Sequence, residues 1–252
     1  MVGVAFVLLL SLVAFFLVRT VTHHPPSVNL PQETQGESGG EIATDTAGDS
    51  VRRVEVTPQT VQLVIERLAR AENYSRTVMI ERSWSDGSAT ASASVVVADG
   101  WTRVDMTDAN GGRRHSVTGG DRSWVWYNDN RAVFTGAAAI TADEEQSIPT
   151  YENILLLETS AISVADYRTL EGVNCIYVET VPDAMGYYER FWISVENGLL
   201  AANERLQGET PVYRMTGLSI ERDSASAAAF TLPDGTVLFD PNDDTKYSES
   251  EG

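Results

Sequence analysis

The chain is poor in the side chains that most site chemistry needs. Its 252 residues hold one cysteine, three histidines and a single lysine, Lys246, beside 17 arginines. A lone thiol forms no internal disulfide, so the fold must stand on its core alone. Cys175 lies among Val173, Ile176 and Val178, the setting of a buried, inert thiol. Positive charge is scarce as well. Eighteen basic side chains face 36 acidic ones, a net charge of -18. Nucleic-acid binding needs clustered Lys and Arg to neutralise phosphates, so that class is excluded as a partner. Electrostatic docking on an anionic membrane face is disfavoured for the same reason. The arginines do not cluster, and the missing lysine reads as genomic composition bias.

Only one long apolar run is present, residues 2–18, with Ser11 as its one polar side chain. Seventeen residues sit at the short edge of a bilayer-spanning helix, which needs roughly 20 at 1.5 Å each. The first basic side chain, Arg19, comes after the run, and neither a small-x-small cleavage site nor a lipoprotein cysteine follows. Residues 1–19 are therefore expected to be an uncleaved transmembrane signal anchor. Arg19 on the downstream side runs against the positive-inside rule. A tethered acidic domain is nevertheless the usual layout of a single-pass cell-membrane protein with its domain on the extracytoplasmic side. Residues 20–53, with His23, His24 and many Gln, Ser, Gly and Thr, read as a disordered linker of roughly 30 Å reach.

Order is expected from residue 54. Thr57-Pro58 reads as a helix start, and Val61, Val64, Ile65 and Leu68 form one apolar stripe running on to near Asn73. Period two then takes over. Segments 74–83, 89–98, 101–107, 114–118, 122–127 and 131–135 alternate between Gly, Asp and Asn turns, the pattern of an antiparallel meander. Residues 137–160 read as one or two short helices. Strands resume at 162–170, 173–181, 187–195, 199–206, 212–222 and 228–238. The expected fold class is α+β: a strongly curved antiparallel sheet, an unclosed half-barrel of about 10–11 strands, under a helical lid. Residues 54–240 form this domain and 241–252 an acidic tail.

A search for catalysis finds little. The globular part has one histidine, His115, read as a surface strand residue, and no Gly-x-Ser-x-Gly elbow. Most of its acidic residues that stand out, such as Asp86, Asp99, Asp183 and Asp234, sit in turns, where Asx hydrogen bonding explains them. Asp240, Asn242, Asp244 and Glu251 match four positions of a calcium loop, but Thr245 stands where that loop needs glycine and Pro241 follows the first ligand. No cofactor and no metal are expected. What stands out is aromatic. Trp101, Trp124, Trp126, Tyr188 and Trp192 all fall on predicted strands, either as core or as the lining of an apolar ligand site.

Three segments carry a family likeness. Residues 120–128, Gly-Asp-Arg-Ser-Trp-Val-Trp-Tyr-Asn, resemble the Gly-x-x-x-aromatic-Tyr-Asn/Asp strand of LolA-type lipoprotein carriers. Residues 191–199, Phe-Trp-Ile-Ser-Val-Glu-Asn-Gly-Leu, resemble their strand–turn–strand, and 230–237, Phe-Thr-Leu-Pro-Asp-Gly-Thr-Val, their closing Phe-x-x-Pro-x-Gly. Residues 99–105 stand where that family has a further strand. The chain thus resembles the LolA-like superfamily (LolA, LolB and RseB type) over residues 54–240. The resemblance implies an unclosed barrel with a helical lid, and a binder in place of an enzyme. Superfamily members carry lipoprotein acyl chains, sense envelope stress or assist spore germination. Two departures stand: a permanent anchor prevents shuttling, and Ala98-Asp99 replaces the turn where carriers have an important arginine.

The leading expectation is a membrane-tethered binding protein that holds an acyl chain, lipoprotein or apolar peptide between sheet and lid. Trp101, Trp124, Trp126, Tyr188 and Trp192 would border that space. The alternative is an interaction module with a filled core that stabilises an envelope partner protein, with a homodimer as one possible assembly.

Overall fold

Alternating small, β-branched and polar side chains can bury themselves only along one face of a pleated strand, so successive hairpins assemble into a sheet. In the computed structural model, residues 55–138, 147–222 and 225–242 are described. They contain eleven strands: β1 (Tyr74–Trp84), β2 (Gly87–Ala98), β3 (Trp101–Thr107), β4 (Arg113–Gly119), β5 (Arg122–Tyr127), β6 (Phe134–Ala137), β7 (Ile162–Leu170), β8 (Val173–Thr180), β9 (Tyr187–Ser194), β10 (Leu200–Gln207) and β11 (Thr210–Thr216). All belong to one antiparallel sheet, in the order β6-β5-β4-β3-β2-β1-β11-β10-β9-β8-β7. The chain starts in the middle, runs outward by hairpins to the β6 edge, crosses to the β7 edge and returns to pair β11 with β1. Edges β6 and β7 are not paired with each other, so the sheet is unclosed.

Two short helices lie among the described residues, α1 (Val61–Glu66) and α2 (Glu152–Leu155). With six and four residues, these two helices do not show the expected helical lid among the described residues, and 139–146, within the segment expected to be helical, lie outside them. The predicted stripe to Asn73 stops early because Arg70 reaches back to the helix end. Its guanidinium donates to the carbonyls of Ile65 at 2.7 Å, Glu66 at 3.1 Å and Leu68 at 3.1 Å, satisfying groups that further helical turns would otherwise serve. The chain then leaves for the β9–β10 turn, where the Ala71 N–H donates to the Asn197 carbonyl. Gly198 permits that approach. Its φ is +69°, and an added Cβ would lie 2.6 Å from the Ala69 carbonyl oxygen.

Other boundaries move for local reasons. The Asn130 side chain accepts from the Ala132 N–H and extends the turn, so β6 starts at Phe134 and not near 131. β11 ends at Thr216, short of the expected 222, although Glu221 still bridges Ser75. Pro211 is tolerated in β11 because a bulge interrupts the β10 ladder between Arg205 and Leu206. The segment 228–238 is not a strand. It forms a 3₁₀ turn (Ala227–Phe230) and a tight turn at Pro233-Asp234-Gly235 closed by the Thr231–Val237 bridge.

Register decides which face is filled. Val78 and Ile80 of β1, Ala93 and Val95 of β2, Val104 of β3, Ile176 and Val178 of β8, Phe191 and Ile193 of β9 and Met215 of β11 are buried in one cluster. Val61 and Ile65 of α1 and Ile154 of α2 belong to the same cluster. Gln62 ties the helices together, its amide donating to the carbonyls of Ile154 at 3.0 Å and Leu157 at 2.8 Å. The space between helices and sheet is occupied by these side chains. Among the described residues no helix is long and apolar enough to cross a membrane. The expected anchor 1–19, the linker 20–53 and nearly all of the acidic tail lie outside the described residues.

Candidate functional site

Strand alternation settles where the five candidate aromatics sit. Val104 faces the helices, so Trp101, three residues earlier, points to the opposite face. Val104 pairs with Ser116, and the neighbours of Ser116, His115 and Val117, pair with Trp126 and Trp124. Both tryptophans therefore share the Trp101 face. On the other half of the sheet Phe191 and Ile193 face the helices, which turns Trp192, and with it Tyr188, to the same opposite face. The structure thus places none of the five between sheet and helices. The residues were read correctly as sharing strand faces, but the choice of face follows from the register of the whole sheet.

Three of the five come together. Trp101 stacks on Trp124 at 5.8 Å and on Phe239 at 5.4 Å, with Phe230 edge-on at 6.4 Å. Trp126, Phe230, Leu232 and Phe239 form the buried centre of this second cluster. The segment 225–239 therefore covers these rings. Gly119 makes room for Trp101 to lie flat: an added Cβ would come within 2.1 Å of Trp101 Cε3. His115 belongs to this layer, contrary to its reading as a surface residue. It is 13% exposed, stacks on Trp126 at 5.1 Å, and its Nδ1 lies 2.6 Å from Asp105 Oδ1. Arg103 donates to the other Asp105 oxygen at 2.8 Å and to the Ala229 carbonyl at 2.9 Å.

Tyr188 and Trp192 sit apart from that cluster. Trp192 tilts against Tyr177 at 5.2 Å, and the Tyr188 hydroxyl accepts from Arg190 at 3.2 Å. They flank a charge ladder that runs across strands. Arg190 donates to Glu179 at 2.9 Å, and Glu204 accepts from Arg214 at 2.8 Å while Arg190 lies 3.8 Å away. Burial opposes ionisation of Glu179, yet hydrogen bonds from Tyr177 and Arg190 hold its carboxyl below the usual range. Burial first, and then that carboxylate, push the Tyr177 hydroxyl up.

The opening on the helix side is elsewhere, where the chain leaves α1 and enters α2. A cavity of about 200 Å³ lies there, walled by Val97, Leu199 and Leu200 and bordered by Arg70, Arg76, Tyr74, Tyr151 and Glu152. The Arg70 guanidinium lies 3.7 Å over the Tyr151 ring. Arg76 is only 5% exposed and donates to the Leu200 carbonyl at 3.0 Å. Burial, followed by Glu152 next to it, pushes the Tyr151 hydroxyl up. Arg70 Nε and Glu152 Oε2, on residues that border this cavity, are among the side-chain atoms buried without a hydrogen-bond partner. These residues escaped the sequence reading, although one signal was present. Arg76 interrupts the inward series Tyr74, Val78, Ile80 of β1, and a charge on an inward register is costly unless it is used.

Among the described residues no group of three or more His, Cys, Asp or Glu is placed to hold a metal. Cys175 is buried, and burial pushes its thiol from 9.0 up to about 11, away from the reactive thiolate.

Comparison with known proteins gives a likeness of fold alone. No family model matches the chain, and no curated protein does. Among solved structures, the MucA/MucB complex of Pseudomonas aeruginosa is 13% identical, covers 70% of this chain and 62% of that one, and has a TM-score of 0.42. A second structure of MucB with MucA(peri) is 14% identical, covering 62% and 52%, with a TM-score of 0.37. The chain thus spans about half to three fifths of the MucB structures it matches. The LolA superfamily protein NE2245 from Nitrosomonas europaea is 10% identical, covering 69% and 97%, at a TM-score of 0.34. These structures include a member of the superfamily whose motifs the sequence resembles. At such identities and TM-scores, the function has to be drawn from the chain's own geometry.

Proposed function

We propose that this chain is an extracytoplasmic LolA-like binding module that holds a partner protein, with residues 1–19 as its membrane tether and 20–53 as the spacer. Side chains of α1, α2 and one face of the sheet pack into a single buried cluster. The observation that carries this reading is the packed helix side: Val61, Ile65, Val78, Ile80, Ile154, Ile176 and Met215 are each completely buried in one continuous cluster. A carrier needs a hollow there large enough to bury most of an acyl chain, and pockets of that kind run to roughly 300–1,000 Å³. The tryptophans that would have lined such a hollow stand on the other face, Trp101, Trp124 and Trp126 of them under residues 225–239.

The test is a titration of the full chain, in lipid nanodiscs, with a fluorescent sixteen-carbon fatty acid. No saturable uptake is expected. Stoichiometric uptake, released on denaturation, would overturn the proposal in favour of a carrier. In that case Trp126→Ala should leave uptake intact, because Trp126 does not face the helices.

A further inference from the structure

Of the chain's ten asparagines, one is followed two residues on by serine or threonine: Asn73, in Asn73-Tyr74-Ser75. Asn-x-Ser with x other than proline is the acceptor pattern for an N-linked glycan, and it belongs on a surface loop of an exported protein. The fold supplies that setting. Asn73 is exposed, in the bend between α1 and β1, one residue before β1 begins. Its side-chain oxygen accepts from the Asp99 N–H at 2.8 Å, and because that N–H can only donate, the amide is held one way round. The amide nitrogen makes a longer contact, 3.3 Å to Asp99 Oδ1. Giving one of its two hydrogens up to a sugar leaves the other in place. The neighbouring turn opens outward: Asp99 and Gly100 are both exposed, and a Cβ built on Gly100 meets nothing within 4 Å. A bulky hydrophilic group on Asn73 therefore has solvent to occupy.

The brace to Asp99 accounts for Asn73 but not for Ser75. Ser75 is tied to Glu221 through its backbone, N–H to carbonyl in both directions at 2.8 Å, a pairing that any residue except proline can make. We propose that Asn73 is the attachment site of an N-linked glycan and that Ser75 supplies the hydroxyl by which the transferase selects it. This rests on the extracytoplasmic placement proposed for the domain. The donor is an oligosaccharide held through its anomeric carbon on a lipid phosphate. The Asn73 amide nitrogen attacks that carbon. The C–N bond forms as the C–O bond to phosphate breaks, the lipid phosphate leaves with the electron pair, and one amide proton passes to a base of the transferase. In the folded chain Tyr74 is buried and Ser75 is paired with Val96. The transfer therefore belongs to the extended chain, before β1 enters the sheet.

The test is mass spectrometry of the full chain purified from its own membranes. Trypsin, cutting after Arg70 and Arg76, releases residues 71–76, Ala-Glu-Asn-Tyr-Ser-Arg. That peptide is expected to carry the mass of whole sugar residues on Asn73. The added mass should vanish in Asn73→Gln and equally in Ser75→Ala, which keeps the amide and its brace to Asp99, and should persist in Ser75→Thr. A bare peptide from the wild type overturns the proposal, as does sugar that survives Ser75→Ala. If Asn73→Gln does not fold, the wild-type peptide and the two Ser75 variants decide. Proteolysis of intact cells reports separately on placement. A domain digested from outside together with a bare peptide removes the glycan alone, whereas a protected domain removes the extracytoplasmic reading and the proposal with it. The fatty-acid titration tests partner binding independently of both.

Discussion

Gly119→Ala probes whether the aromatic layer beneath residues 225–239 is as tightly closed as described. The new Cβ would come within 2.1 Å of Trp101 Cε3 and 2.2 Å of Cδ2. β4 cannot retreat, because it is paired on both sides: Thr118 with Thr102 of β3, and Gly119 with Arg122 of β5. The indole must move instead. It then gives up its stacking on Trp124 and on Phe239. Each ring contact is worth about 0.5–1.5 kcal/mol beyond its buried area, and an off-rotamer side chain adds about 1 kcal/mol, so the loss is about 2–4 kcal/mol. For a domain of this size that lowers Tm by roughly 4–16 °C. Urea unfolding followed by far-UV circular dichroism measures it without relying on the tryptophan being perturbed. Trp101→Ala, which removes the obstacle, is expected to cost about 3–5 kcal/mol alone. On that background Gly119→Ala should cost less than about 0.5 kcal/mol. Additive effects of the two substitutions would refute the reasoning, because a shared contact must show up as coupling.

Two further predictions follow from the electrostatics. Cys175 ionises at about 11 when folded and 9.0 when free, so its contribution to stability is complete below pH 9 and is lost as the pH rises toward 11. Urea midpoints should fall over that window with a slope approaching about 1.4 kcal/mol per pH unit from this group, and Cys175→Ala should flatten the fall; an unchanged slope in the variant would assign the loss to other groups. Glu204 lies between Arg190 and Arg214 and is largely sheltered, so Glu204→Gln is expected to lower stability by about 1 kcal/mol and to reduce its dependence on salt, read from unfolding midpoints at low and high ionic strength.

The strands were legible because their signals are local. β3, β5 and β7 begin and end where alternation and turn residues put them, and eleven strands fall within the expected number. The departures arise where a distant group intervenes. α1 is cut short by Arg70 and by the pull of Asn197, some 125 positions away in sequence, and the closing segment trades a strand for a cover over tryptophans. The candidate site was less legible. Its one sequence signal, Arg76 on an inward register, gains meaning only when Leu200 and Tyr151 arrive beside it.

Composition and periodicity by themselves determined an antiparallel, acidic, disulfide-free domain whose aromatics sit on strands. The family motifs added the expectation of a binder. Only the tertiary structure decided which face those aromatics occupy and that the helix side is filled. The physical reason is register. A period-two pattern tells which residues share a face, but strand pairing across the whole sheet selects which face receives the helices.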